Sequence, residues 1–66
     1  MEKSEIKEIA KQLAACEYIL QTSDSEEDKH KAEMYMVKLA LSIPDIETMS
    51  KIDELVSAIL EHKLRL

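Results

Sequence analysis

Apolar residues recur every three or four positions along most of this 66-residue chain, and that spacing is typical of amphipathic α-helices. In a first segment, about residues 4–21, the apolar positions form one stripe: Ile6, Ile9, Ala10, Leu13, Cys16 and Leu20. Ser4 is the expected N-cap of this helix. Ala14, Ala15 and Tyr18 are expected to point away from the stripe.

The second segment, about residues 25–42, has two apolar faces. One face carries Ala32, Tyr35, Met36, Leu39, Ala40 and Ile43, and the nearly opposite one carries Met34, Val37 and Leu41. A helix that is apolar almost all round is either buried or covered by something outside a simple hairpin. We therefore predict that Met34, Val37 and Leu41, together with Tyr18, form a partner interface. The alternative is that a third helix covers this face, which would then belong to the internal core.

Two connections are expected between the helical segments. The first is a polar run before the second helix, in which Ser23 and Glu26 have the spacing of a capping box. The second lies at Pro44, which ends the second helix because it disfavours helical geometry at Ile43. The third helix begins either at Pro44 or at Ser50. Its predicted buried face carries Met49, Ile52, Val56, Ile59 and Leu60, with Leu55 at the margin.

These segments predict an all-α fold: one domain over residues 1–66, built as a helical hairpin plus a third helix after Pro44. The chain contains no glycine, which excludes glycine-rich nucleotide-binding loops. A core of this size leaves little margin of stability. Cys16 is the single cysteine and His30 and His62 are the only histidines, so neither a disulfide nor a Cys/His metal framework supplies that margin. The bundle is therefore expected to be dimeric or partner-bound.

Acidic residues outnumber basic ones, 14 to 9, and the formal net charge is −5 at pH 7. This balance disfavours direct binding to nucleic acid, whose phosphates would be repelled. The densest acidic patch, Asp24, Glu26, Glu27 and Asp28, suits the positive end of the helix that follows. It lacks the glycine and the distal glutamate of a helix-loop-helix calcium site. The patch also fits a second hypothesis, in which the chain occupies the basic site of a nucleic-acid-binding protein or enzyme.

Residues able to do chemistry are few and scattered. Cys16 falls on the apolar stripe and is expected to pack in the core, whereas His30 and His62 are expected to be solvated. We therefore predict no enzymatic activity, no metal and no cofactor. The N-terminus is polar and the longest apolar runs are far shorter than a membrane span, so no membrane association is expected. One unpaired thiol is consistent with a cytoplasmic protein.

The sequence thus predicts a small acidic helical module for protein–protein interaction: an adaptor, chaperone or regulator. Its partner is another protein or a second copy of itself, as in a homodimer, bound through the apolar helix face. The alternative function is the acidic inhibitor. The two differ in salt dependence, because charge-dominated binding weakens steeply with salt whereas apolar binding tolerates it.

Overall fold

Three α-helices account for most of residues 2–65, the part of the chain that this computed structural model describes. They are α1 (Lys3–Thr22), α2 (Glu26–Leu41) and α3 (Ile46–Arg65), and no strand occurs within the described range. The predicted all-α architecture of three helices is confirmed. None of the described helices is both long and apolar enough to cross a lipid bilayer.

The central element is α1, because α2 and α3 both pack against it and hardly touch each other. Ala10 and Ala14, one helical turn apart on α1, are completely buried, as is Ile52 on α3. The small side chains of Ala10 and Ala14 allow the α3 backbone to approach α1 closely. The expectation that Ala14 points away from the buried stripe is therefore wrong, since it belongs to the surface that receives α3.

The hydrophobic core lies mainly between α1 and α3. Its buried members are Ala10, Leu13, Ala14, Ile52, Val56 and Leu60, and partly buried side chains pack around them, among them Met36 and Leu39 of α2 and Ile43 just after it. These α3 positions confirm the face predicted from the sequence. In α2, Ala32 is the one buried residue. The second helix therefore lies on the core rather than within it.

The start of α2 is fixed by Ser25. Its hydroxyl oxygen accepts a hydrogen bond from the Asp28 backbone N–H at 3.3 Å, which satisfies a donor that the first helical turn leaves free. The predicted cap at Ser23 is two residues too early. Ser23 instead accepts a hydrogen bond from the Ser25 backbone N–H at 3.1 Å and so shapes the turn before the helix.

The other two helix starts also differ from expectation. Ser4 lies inside the first turn of α1, and Glu2 occupies the cap position without a side-chain capping bond. The third helix begins at Ile46, after both Pro44 and the cap residue Asp45, and continues through Ser50 without a break. The predicted start at about Pro44 is therefore two residues early, and the alternative start at Ser50 is wrong.

The cap of α3 is a charged one. The Asp45 Oδ1 atom accepts a hydrogen bond from the Thr48 backbone N–H at 2.7 Å. This bond favours the ionised carboxylate and lowers the pKa of Asp45 below its ordinary value of 3.8. The α2–α3 corner thus ends in a carboxylate placed at the positive end of α3.

Candidate binding surface

The face of α2 that carries Met34, Val37 and Leu41 is open to solvent, and we call these three residues the α2 outer face. Their exposed fractions are 54%, 55% and 81%. The alternative that α3 covers this face within one chain is therefore excluded. The three side chains sit at the i, i+3, i+7 positions of one helical strip, which is the arrangement used by helices that present anchors to a partner.

Tyr18 lies apart from the α2 outer face. It lines a groove of about 500 Å³ between α1 and α2, together with Ile19 and Tyr35, and none of the three outer-face residues lines this groove. The Lys63 ammonium nitrogen sits 5.7 Å from the centroid of the Tyr18 ring, within the range of a cation–π interaction. The structure thus gives Tyr18 a neighbour on α3 and does not bring it together with Met34.

Tyr35 is also more exposed than its predicted place on the core-facing side of α2 implies. Its exposed fraction is 46%, and its hydroxyl donates a hydrogen bond to Oε1 of Gln12 on α1. The ring therefore lies at the margin of the α1–α2 contact, where a tyrosine keeps its polar end accessible.

A second groove opens between α2 and α3 because these helices hardly touch, and we call it the α2–α3 groove. It has a volume of about 300 Å³ and is lined by Leu13, Glu17, Met36, Val37, Ala40, Met49, Asp53 and Val56. Val37 belongs both to this groove and to the α2 outer face. The apolar surface therefore runs without interruption from the groove onto the outside of α2.

The sequence interpretation missed this groove, although its acids carry a signal. Glu17 follows Leu13 by four residues, and Asp53 stands four after Met49 and three before Val56. Such spacings place an acid beside an apolar stripe rather than opposite it. The positions of Glu17 and Asp53 in the sequence therefore indicate that an apolar surface has a charged edge.

The acidic patch at Asp24, Glu26, Glu27 and Asp28 is exposed and lies at the start of α2. Two of its members form ion pairs within the helix: Glu26 with Lys29 at 3.9 Å and Glu27 with Lys31 at 3.5 Å. Exposed pairs of this kind contribute little to stability. The patch therefore has local partners as well as a favourable position at the helix dipole.

Cys16 is buried, which confirms its predicted place in the packed interior. Burial disfavours the charged thiolate and raises the pKa of the Cys16 thiol above its ordinary value of 9.0. His30 and His62 are both exposed, as expected. Among residues 2–65, no three His, Cys, Asp or Glu side chains come together in a group that would hold a metal ion.

Comparison with protein-family models, with curated proteins and with solved structures finds no match to this chain. Its function must therefore be argued from its own surfaces.

Proposed function

We propose that this chain is a small protein-interaction module, an adaptor or regulator without catalytic activity, that binds another protein through the α2 outer face. The observation that carries this proposal is the exposure of Met34, Val37 and Leu41 along one strip of one helix. Burying such side chains against a partner contributes roughly 1.5–3 kcal/mol for each one fully removed from water.

The position of α2 within the bundle supports the same function. It contributes one buried residue, Ala32, and rests on the core through the partly buried Met36 and Leu39, so the apolar side chains on its far side are available for contact outside the chain. Methionine suits such a contact because its unbranched side chain adapts to the shape of what it meets. We place the module in a reducing compartment such as the cytoplasm, a proposal supported by the unpaired Cys16.

The test is a pair of matched double variants. Met34→Glu with Leu41→Glu adds two negative charges to the α2 outer face, whereas Ala15→Glu with Gln21→Glu adds two at exposed positions of α1. A partner captured from the source cells is identified and purified, and its Kd is measured for all three proteins by titration calorimetry.

We expect the outer-face variant to bind at least about tenfold more weakly, because its carboxylates would be desolvated at the contact. The control variant is expected to bind like the unmodified chain. Circular dichroism should show that both variants keep their helices, since all four positions are exposed. Unchanged affinity in the outer-face variant would refute the proposal.

The acidic-inhibitor hypothesis makes a different prediction for the same partner. Neutralising Asp24, Glu26, Glu27 and Asp28 together would abolish binding, and high salt would do the same to the unmodified chain. Under the interaction-module proposal these changes keep the Ser25 cap, remove favourable charge at the start of α2 at a cost of about 0.3–1 kcal/mol, and leave the contact at the outer face. A salt titration of the unmodified complex therefore separates the two functions.

A further inference from the structure

We infer that the α2–α3 groove receives a basic amphipathic helix of a partner protein. The inference rests on the proposed function, because it takes the partner's contact with the α2 outer face and extends it through Val37 into the groove. It adds the kind of element that binds and the charge that this element carries.

The shape of the groove favours a helical occupant. Its walls are two helices, α2 and α3, that both pack on α1 but hardly touch each other. Leu13 and Val56 at its base are buried, and Met36 and Met49 beside them are half-buried. An apolar trough between two helices is filled by the apolar face of a third, and methionines adjust to its side chains.

The charges of the groove decide what that helix carries on its polar side. Glu17 and Asp53 are the charged residues that line it, and both are acidic. The groove between α1 and α2 instead has one charge of each sign, Asp28 and Lys31. Lysines of the occupant placed three or four residues from its apolar anchors would reach Glu17 and Asp53.

The alternative occupant, a second copy of this chain, matches these charges less well. It would bring a net charge of −5 toward two carboxylates. The lysines that line other grooves lie away from these carboxylates: Lys31 lines the groove between α1 and α2, and Lys3, Lys7, Lys11 and Lys51 lie on the side of the bundle where α1 meets α3. A contact from that side to the α2–α3 groove joins two different surfaces and builds open chains rather than a closed dimer, unless its rotation happens to close into a ring.

The experiment uses a fluorescein-labelled peptide of about 18 residues, or five helical turns, with leucines at i, i+3, i+4 and i+7 and lysines elsewhere. Its Kd is measured by fluorescence anisotropy with the full chain. A second peptide replaces every lysine with glutamate and keeps the leucines. We expect the lysine peptide to bind and the glutamate peptide to bind at least about tenfold more weakly.

Matched variants locate the charge effect. Glu17→Gln with Asp53→Asn removes the two groove carboxylates, and Glu8→Gln with Glu47→Gln removes two exposed carboxylates that do not line it. Both variants change the net charge equally. We expect the groove variant to bind the lysine peptide about five- to thirtyfold more weakly, the loss for two charge pairs of moderate strength, and the control to stay within about twofold.

Methyl NMR locates the apolar contact. In a chain labelled with ¹³C at its methionine methyl groups, the lysine peptide should shift Met36 and Met49 more than Met34, which does not line the groove. Equal affinity of the groove and control variants, or shifts centred on Met34, would overturn the inference. In that case the outer-face test with Met34→Glu and Leu41→Glu still decides the proposed function separately.

Sedimentation equilibrium of the chain alone tests the second-copy alternative. We expect a monomer at micromolar concentration. A concentration-dependent dimer that Val37→Ser abolishes and Leu41→Ser, outside the groove, does not, while circular dichroism shows unchanged helices, would assign the groove to a second copy and overturn the inference. Because 55% of Val37 is exposed, we expect Val37→Ser to leave the fold intact.

Discussion

The hydroxyl of Tyr35 donates a hydrogen bond of 3.2 Å to Oε1 of Gln12, and this bond joins α2 to α1 across 23 positions of sequence. It lies at the exposed margin of the contact, beside a helix that has one buried residue of its own. A polar link at this place holds α2 in a defined position on α1, where the apolar contact alone is limited.

Removing that link tests how much it contributes. We expect Tyr35→Phe to lower the free energy of unfolding by about 0.5–1 kcal/mol, since the ring keeps its packing and only a solvated hydrogen bond is lost. Urea denaturation followed by circular dichroism measures the change. Tyr18→Phe is the control, because the cation–π contact with Lys63 needs the ring and not the hydroxyl. Equal losses in both variants would contradict this role for Tyr35.

The close approach of α1 and α3 depends on alanine at two positions of α1. We expect Ala14→Leu to lower the free energy of unfolding by about 1–3 kcal/mol, because a larger side chain has no room against α3. Ala15→Leu, at the exposed neighbouring position, should change it by less than about 0.5 kcal/mol. A stable Ala14→Leu variant would show that α3 can move outward at little cost.

The cap at Asp45 makes part of the stability depend on pH. Because the folded-state pKa of Asp45 is lowered, its contribution is fully present above the ordinary value of 3.8 and is lost as the pH falls through the lower folded-state value. Asparagine also caps helices but does not titrate.

We therefore expect the melting temperature of the unmodified chain to exceed that of Asp45→Asn near pH 7, and the difference to shrink as the pH falls below 3.8. Asp45→Ala, which removes the cap altogether, should melt several degrees lower than the unmodified chain near pH 7. A difference between the unmodified chain and Asp45→Asn that persists in acid would show that the charge does not act through the cap.

The buried thiol of Cys16 should react slowly. Its raised pKa keeps it protonated near neutral pH, and its burial limits access by reagents. We expect labelling by iodoacetamide to be at least about tenfold slower in the native chain than in urea, after correction for the effect of urea on a model thiol. Equal rates would mean that the α1–α2 contact opens readily at this position.

Spacing alone predicted the helices and a second apolar strip on α2, because Met34, Val37 and Leu41 lie opposite the face that contains Ala32, but it left open whether α3 covers that strip. Cap positions were less predictable. Ser23 and Ser25 each precede an acid by three residues, so local pattern does not distinguish them.

The side of α1 that receives α3 was also hidden from the sequence. Alanine occurs on both buried and exposed helix faces, so Ala14 and Ala15 look alike until a neighbouring helix packs on one of them. The α2–α3 groove depends on the separation of two helices that hardly touch. No single segment encodes that separation, although Glu17 and Asp53 mark its edges.

Because α2 rests on one neighbour, it is expected to detach while α1 and α3 stay together. A free helix of its length, 16 residues, is marginal in water, so detachment leads to local unfolding of α2. Backbone amides of α2 should then exchange with solvent deuterium through a local opening of low free energy. Amides at the α1–α3 contact should exchange only when the whole chain unfolds. A partner bound in the α2–α3 groove would suppress this local unfolding of α2. Slower deuterium uptake along α2 would therefore indicate the bound state.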